Sequence, residues 1–268
     1  MNSAAFQVLR KEPHVSFSAI STYSKCPRQY EFRYLLGQDP EHRPGALAFG
    51  TAVHEALAQF YTALRDGEDE PTADDLHEVF ERSWLAQLDG DLPVLLGDKE
   101  TPDGLLETAR KMLARFLDEA ERPVRVLGVE EPFSVEIIDP LTGEILPERL
   151  VGVFDAVVET DRGLRVLEHK TGARRWSEDR IATDLQLTAY HWVAPQVGLD
   201  GAEVEVQLLT KTKEPKLEVY HPSRTPRDHD DLLRTISGVL TAIRAGAIWP
   251  VRDWHCRGCQ YAGACIAS

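Results

Sequence analysis

The spacing of apolar positions divides the chain into a helical first part and a mixed second part. Residues 16–36 open Ser-Phe-Ser-Ala-Ile-Ser-Thr-Tyr, with serine and threonine placed to cap, and the pattern predicts a helix. Residues 49–64 repeat Ala52, Ala56, Phe60 and Leu64 along one helical face. An acidic turn at 66–71 follows. Residues 72–88 and 104–121 predict two further amphipathic helices, joined by a glycine- and proline-bearing stretch at 89–103. From residue 124 the period shortens to two, and 124–138 alternates as strands do. Leu141-Thr-Gly-Glu reads as a turn. Strands 150–160 and 164–169 flank Asp161-Arg162-Gly163, a hairpin signal. The pattern then predicts a helix at 177–197, strands at 204–211 and 216–221, a helix at 225–246 and a cysteine-bearing tail. No internal repeat or low-complexity segment interrupts this order. The expected fold class is α/β, a small mixed sheet flanked by helices and preceded by a helical lobe. The expected division is 1–122, 123–248 and 249–268.

Composition narrows the partners. The chain has 268 residues, 43% hydrophobic and 28% charged, enough for one elaborated domain or a domain with an accessory lobe. The first 15 residues carry Arg10, Lys11 and Glu12 without an apolar leader, and no apolar run is long enough to span a bilayer. A cytoplasmic location without membrane contact is therefore expected. A net charge of −14 argues against non-specific duplex binding by the whole surface. It leaves room for local basic tracks: Lys25, Arg28 and Arg33, then Lys170 to Arg180, then Lys211, Lys213 and Lys216. Each can equally be a solvated charged face.

Cys26 stands near the start, and Cys256, Cys259 and Cys265 crowd the end; the chain has no other cysteine. One plus three is a tetrathiolate set only if the fold joins the two ends. Spread disulfide pairs suit small secreted domains. Zinc favours two compact Cys-x-x-Cys knuckles. Irregular spacing suits an iron–sulfur cluster. Four unrelated buried cysteines is the plain alternative.

The hairpin carries the sharpest chemistry. Asp155 interrupts the apolar strand Gly-Val-Phe-Asp-Ala-Val-Val, and Glu168-His169-Lys170 ends the next one. Glu168 and Lys170 differ by two and share a strand face, which Asp155 on the neighbouring strand can join. Two carboxylates beside a lysine suit Mg²⁺ or Mn²⁺ and an attacking water that the lysine orients or deprotonates. Alone, such a trio arises often as a surface ion pair. His54, one turn into a helix, can be a neutral ligand or a structural histidine. Gln186 and Tyr190, four apart, project to one side of their helix. Glu130 or Glu131 can add a carboxylate.

The order of these short motifs is more specific than any one of them. It runs Ser-x-Ser-x-x-x-x-Tyr-x-x-Cys-Pro at 16–27, Gly-Thr-x-x-His at 50–54, Gly-x-x-Asp at 152–155, Glu-x-Lys-Thr-Gly at 168–172, Gln-x-x-x-Tyr at 186–190, and Cys-x-x-Cys with a last cysteine at 256–265. From Ser16 to Cys265 the chain resembles the RecB-type nucleases of the PD-(D/E)XK superfamily, in their iron–sulfur branch. That branch includes CRISPR-associated RecB-like exonucleases and AddB-type nuclease domains. The resemblance implies a restriction-endonuclease-like core and an iron–sulfur clasp joining the termini. It implies metal ligands at His54, Asp155 and Glu168, with the His169 carbonyl and Glu130 completing the shell. It gives Lys170 as the catalytic lysine, Gln186 and Tyr190 as the motif that follows, and Cys26, Cys256, Cys259 and Cys265 as ligands of a [4Fe–4S] cluster. His169 departs from the tyrosine or small apolar residue common there, and its side chain is expected to point off the catalytic face.

The implied activity is metal-dependent hydrolysis of DNA phosphodiesters, as an exonuclease on single-stranded or end-bearing DNA. Recombination, repair, viral DNA processing and CRISPR adaptation are the settings it suggests. No Gly-Lys-Thr phosphate loop is present, so the chain is expected to act alone, as a homo-oligomer, or with a separately encoded helicase or CRISPR adaptation proteins. Tyr23, Tyr30, Tyr34 and Trp176 can stack bases or pack a core. The alternative function is a catalytically silent zinc- or cluster-containing DNA-binding scaffold.

Overall fold

A computed structural model of the chain describes residue 9 and residues 11–267. Most of the segment read as lacking an apolar leader lies outside the described residues, as does Ser268. The strands are β1 (His14–Ser16), β2 (Arg43–Pro44), β3 (Val94–Leu95), β4 (Arg125–Ile138), β5 (Ile145–Thr160), β6 (Gly163–Gly172), β7 (Glu203–Thr210) and β8 (Leu217–Tyr220). The helices are α1 (Phe17–Lys25), α2 (Pro27–Tyr30), α3 (Gly45–Asp66), α4 (Ala73–Leu88), α5 (Pro102–Glu119), α6 (Glu178–Thr183), α7 (Leu185–Val193), α8 (Pro226–Arg244) and α9 (Ala262–Ala267).

β4, β5 and β6 form an antiparallel meander. A crossover through α6 and α7 then brings β7 parallel to β6, and β8 closes antiparallel to β7. The result is a central mixed sheet with helices on both faces, consistent with a restriction-endonuclease-like core. On one face α1, α7 and α8 pack around Phe133, Leu150, Phe154, Val166 and Val206. On the other, α3, α4 and α5 pack around Ala156, Val158, Leu167 and Leu209. Among the described residues no helix is long and apolar enough to cross a membrane.

One irregularity positions the site. The edge of β5 that faces away from β4 has two partners in succession. β6 pairs with it from Ala156 to Thr160, and the three-residue β1 pairs with it in parallel from Arg149 to Val151. Residues 152–155 lie between them with no ladder partner on that edge. Buried backbone polar groups left this way need other partners, and side chains supply them. Gly152 belongs here because a Cβ would meet the Phe133 ring at 2.3 Å.

Several elements differ from the sequence pattern. The expected helix at 16–36 breaks at Cys26, which is extended at φ −160° and ψ 103° because Pro27 follows it. After α2 the chain makes a π-turn, Glu31–Leu35. The helix expected at 177–197 is split by Asp184, whose carboxylate caps α7 through the Gln186 and Leu187 amides. β1 was too short to signal itself. Tyr23, Tyr30 and Trp176 are buried with the α1, α7 and α8 core, and Tyr34 packs against it, so none is an exposed base-stacking platform.

Candidate active site

Asp155 sits where β5 and β6 part. Their ladder ends at Ala156 and Leu167, and past that point the Asp155 carboxylate takes over as acceptor, bonding the His169 amide at 2.7 Å. From the helical side, α3 brings His54 Nδ1 to 3.2 Å from Asp155 Oδ1. β4 supplies Glu130, which falls opposite Asp155 between the pairs Val129–Ala156 and Glu131–Phe154. Glu130 has φ +50°, the one positive value outside glycine among the described residues. A non-glycine residue held there is strained by about 1–3 kcal/mol. That conformation places its carboxylate with His54 and Asp155, so that one ligand atom from each lies within 4.8 Å of the others. Glu131 is exposed and takes no part.

Glu168 and Lys170 occupy the same side of β6 and pair with each other. α7 meets them with Gln186, whose amide donates to Glu168 Oε1 at 2.9 Å and accepts from Lys170 Nζ at 3.0 Å. Gln186 also donates to the Tyr190 hydroxyl at 3.2 Å, and that hydroxyl donates to the Val153 carbonyl at 2.7 Å. Tyr190 thus satisfies one of the unpaired carbonyls on β5. Glu168 Oε2 is fully buried and has no hydrogen-bond partner. A buried, unpartnered carboxylate oxygen is costly unless a cation or water meets it. Glu168 lies outside the His54, Glu130 and Asp155 triplet.

His169 points the other way, as expected. Its ring stacks on Tyr61 at 5.4 Å and meets Phe116 edge-on at 6.3 Å, while burial lowers its pKa to about 4. It is a neutral core residue.

The ionisation of the site follows from burial set against charge. Burial opposes a charged His54, but the Asp155 carboxylate outweighs it and raises the imidazole to about 9. Burial would raise Asp155 too, yet His54 and the His169 amide hold it at about 2. Glu168 is raised by burial and by Asp155, against the pull of Lys170. Glu130 is raised by burial and by Asp155. For Lys170, burial is outweighed by Glu168, so the ammonium form is favoured. Three carboxylates crowd this space with a histidine and a lysine, and oxygen-rich crowding of that kind suits a hard divalent cation. The donor set fits one.

The approach is a cleft of about 260 Å³ lined by Thr51, His54, Glu55, Gln59, Thr62 and Glu130. Sequence reasoning missed its polar wall. The signal was present: Thr51, Glu55, Gln59 and Thr62 recur on one face of α3 beside His54. The Tyr190–Val153 bond, by contrast, has no sequence signature.

At the chain ends, Cys26, Cys256, Cys259 and Cys265 line one cavity of about 320 Å³ with Arg28, Val251 and Tyr261. The Val251 amide donates to Cys26 Sγ at 3.5 Å. Burial raises the Cys259 thiol, and the other three cysteines add to the effect. No three of the sulfurs lie within 4.8 Å of one another among the described residues. A tetrahedral zinc with bonds of about 2.3 Å would draw them to roughly 3.8 Å. At least one sulfur pair in every trio is therefore wider apart than such a site requires.

Fold and geometry define an acidic centre at a split in a mixed sheet, with His54, Glu130 and Asp155 close enough to share a metal ion and the Glu168–Lys170 pair on the adjoining strand. The chain belongs to the PD-(D/E)XK nuclease superfamily, whose family model matches residues 14–266. The fold is similar to a crystal structure of a candidate exonuclease from Eubacterium rectale, with a TM-score of 0.59 over 97% of this chain and 92% of that one, at 13% identity. A weaker likeness, to Rai1 of Scheffersomyces stipitis, has a TM-score of 0.26 over 88% of this chain and 78% of that one, at 13% identity, and carries no argument. No curated protein matches the sequence.

Proposed function

We propose that the chain is a Mg²⁺- or Mn²⁺-dependent deoxyribonuclease of the RecB-like, iron–sulfur branch, acting as an exonuclease on single-stranded or end-bearing DNA. The observation that carries the reading is the group of His54, Glu130 and Asp155, close enough to share one metal ion, together with the buried Glu168, whose Oε1 pairs with Lys170 and whose Oε2 has no hydrogen-bond partner. A divalent cation held there would polarise the scissile phosphate and acidify the attacking water. His54, Glu130, Asp155 and Glu168 would hold it, with the His169 carbonyl. Lys170, kept as an ammonium by Glu168 and steered by Gln186, positions the water and offsets phosphate charge. Its raised pKa favours orientation over proton abstraction. Tyr190 fixes the Val153 backbone and so the spacing of the split.

The four cysteines would hold a [4Fe–4S] cluster that fastens α1 to the carboxy-terminal tail; that all four line one cavity supports it. The functional units would be a helical lobe (1–122), a nuclease core (123–248) and a cysteine tail (249–268), with β1 and α1 crossing into the core. Partners would be DNA and, for strand opening, a separately encoded helicase or CRISPR adaptation proteins. The test is digestion of 5′- and 3′-labelled single-stranded, duplex and circular DNA with Mg²⁺ or Mn²⁺. Cleavage by the wild-type protein should disappear in Asp155→Asn with the circular dichroism spectrum unchanged. A correctly folded wild-type protein that leaves all these substrates intact is a scaffold instead.

A further inference from the structure

At the end of β6 the chain runs Thr171-Gly-Ala-Arg-Arg-Trp and turns into α6. With Glu218 and Tyr220 from β8 this stretch encloses a groove of about 1250 Å³, several times the volume of the cleft at His54. The groove begins one residue after Lys170, at Thr171. Its floor is fixed: Trp176 is buried, its amide donates to the Tyr220 hydroxyl at 3.1 Å, and the Arg180 guanidinium lies 3.9 Å from its ring centre. Crevices beyond the carboxyl ends of parallel strands are recurrent ligand sites in open α/β sheets.

Arg174 and Arg175 are exposed in this groove and make no hydrogen bond or ion pair among the described residues. The chain has a net charge of −14, and cations such as Arg165, Lys170 and Lys211 are engaged by carboxylates, whereas these two are not. Two adjacent guanidiniums without a carboxylate partner and a third over the buried Trp176 indole bring positive charge to one groove. Glu178, Asp179 and Glu218 also line the groove. These carboxylates limit the number of phosphates the groove can hold, which favours one strand over two.

We propose that this groove holds the sugar–phosphate backbone of a single DNA strand, with Arg174 and Arg175 as its phosphate-binding residues. The proposal rests on the nuclease reading, since it takes the scissile phosphate to lie at Asp155 and Lys170. The arginines anchor the part of the strand beyond the cut; they do not read sequence.

The test measures binding of fluorescent oligothymidylate to the full chain across a salt series, in the cleavage-blocked background Asp155→Asn with Mg²⁺ present. Each phosphate contact to a single strand adds about 0.7 to the slope of log affinity against log salt. The variant Arg174→Ala/Arg175→Ala should therefore lower that slope by about 1.4. Arg174→Lys/Arg175→Lys, which keeps the charges, should retain the original slope. An alanine variant with the parental slope overturns the proposal, and so does a lysine variant that loses as much as alanine. Tighter binding of blunt duplex than of single strand, in the same background, overturns the single-strand assignment. Cleavage by the wild-type protein is scored separately. If DNA is cut while the slope ignores the arginines, the groove fails and the nuclease reading stands. If the slope depends on them and nothing is cut, the nuclease reading fails and the groove stands as a strand-binding site.

Discussion

At the scale of single residues the site holds backbone strain and crowded negative charge, and a bound cation would offset the charge. Glu130 illustrates both, with a backbone at φ +50° and a carboxyl raised by burial beside Asp155. Replacing it with glycine removes the conformational penalty and the repulsion together. Glu130→Gly should raise metal-free stability by about 1 kcal/mol and weaken Mn²⁺ binding. Thermal unfolding with and without Mn²⁺ reads both effects, and a variant less stable than the parent in EDTA would contradict the argument. Lys170→Ala should cut the turnover rate by about 10²–10³. His54 gives a pH dependence. Its metal-free pKa of about 9 stands above its ordinary 6.5 because Asp155 holds the proton against burial. The stability this pair contributes is fully present below pH 6.5 and is lost as pH rises through about 9. Metal affinity runs the opposite way, since cation and proton compete for one imidazole, and should climb with pH until about 9. Calorimetry near pH 7 in buffers of different ionisation enthalpy should find about one proton released per Mn²⁺ bound. Release of none would remove His54 from the ligand set.

At the scale of elements, the sequence made plain what depends on period and local chemistry. The helices at 73–88 and 226–244 begin at Thr72 and Thr225, each a reciprocal capping box with an aspartate three residues on. The Asp161-Arg162-Gly163 turn marked the hairpin, and the two-residue step from Glu168 to Lys170 put both on one strand face. What stayed hidden were long-range bonds. β1 exists only because β5 offers it an edge, and the split in the sheet exists only because β1 and β6 share that edge. Neither leaves a local pattern. Gln186 and Tyr190 were legible as a pair, but their division of labour was not: Gln186 bridges Glu168 and Lys170, whereas Tyr190 braces Val153. Tyr190→Phe leaves that buried carbonyl without its donor, which should cost about 1–3 kcal/mol in urea denaturation. Mn²⁺ affinity should change little beside it. A large fall in affinity at unchanged stability would make Tyr190 a ligand-positioning residue and not a strut.

At the scale of the whole molecule, the two chain ends meet at the cysteine cavity, and the same amino-terminal stretch that carries Cys26 also supplies β1. Ser16, the last residue of β1, caps α1 through the Ala19 amide, and α1 runs directly into Cys26. A clasp at the cysteines therefore bears on the β1–β5 pairing at residues 149–151, one edge of the gap where Asp155 sits. Closing so long a loop is worth about 5 kcal/mol by the chain-entropy argument used for disulfides. Cys259→Ser should remove iron and visible absorbance from anaerobically purified protein and lower the unfolding temperature. Among the amides it should preferentially speed hydrogen exchange at Arg149, which donates to the Pro13 carbonyl at 3.0 Å. Cleavage should fall with that protection, because a loosened β1 leaves the Asp155 edge of the split undefined, while the His54–Asp155 contact from α3 persists. A protein that loses its colour yet keeps both Arg149 protection and cleavage would make the clasp independent of the catalytic split. Colourless protein holding stoichiometric zinc in place of iron would instead mean that the sulfurs draw together, since no three of them lie within 4.8 Å of one another among the described residues.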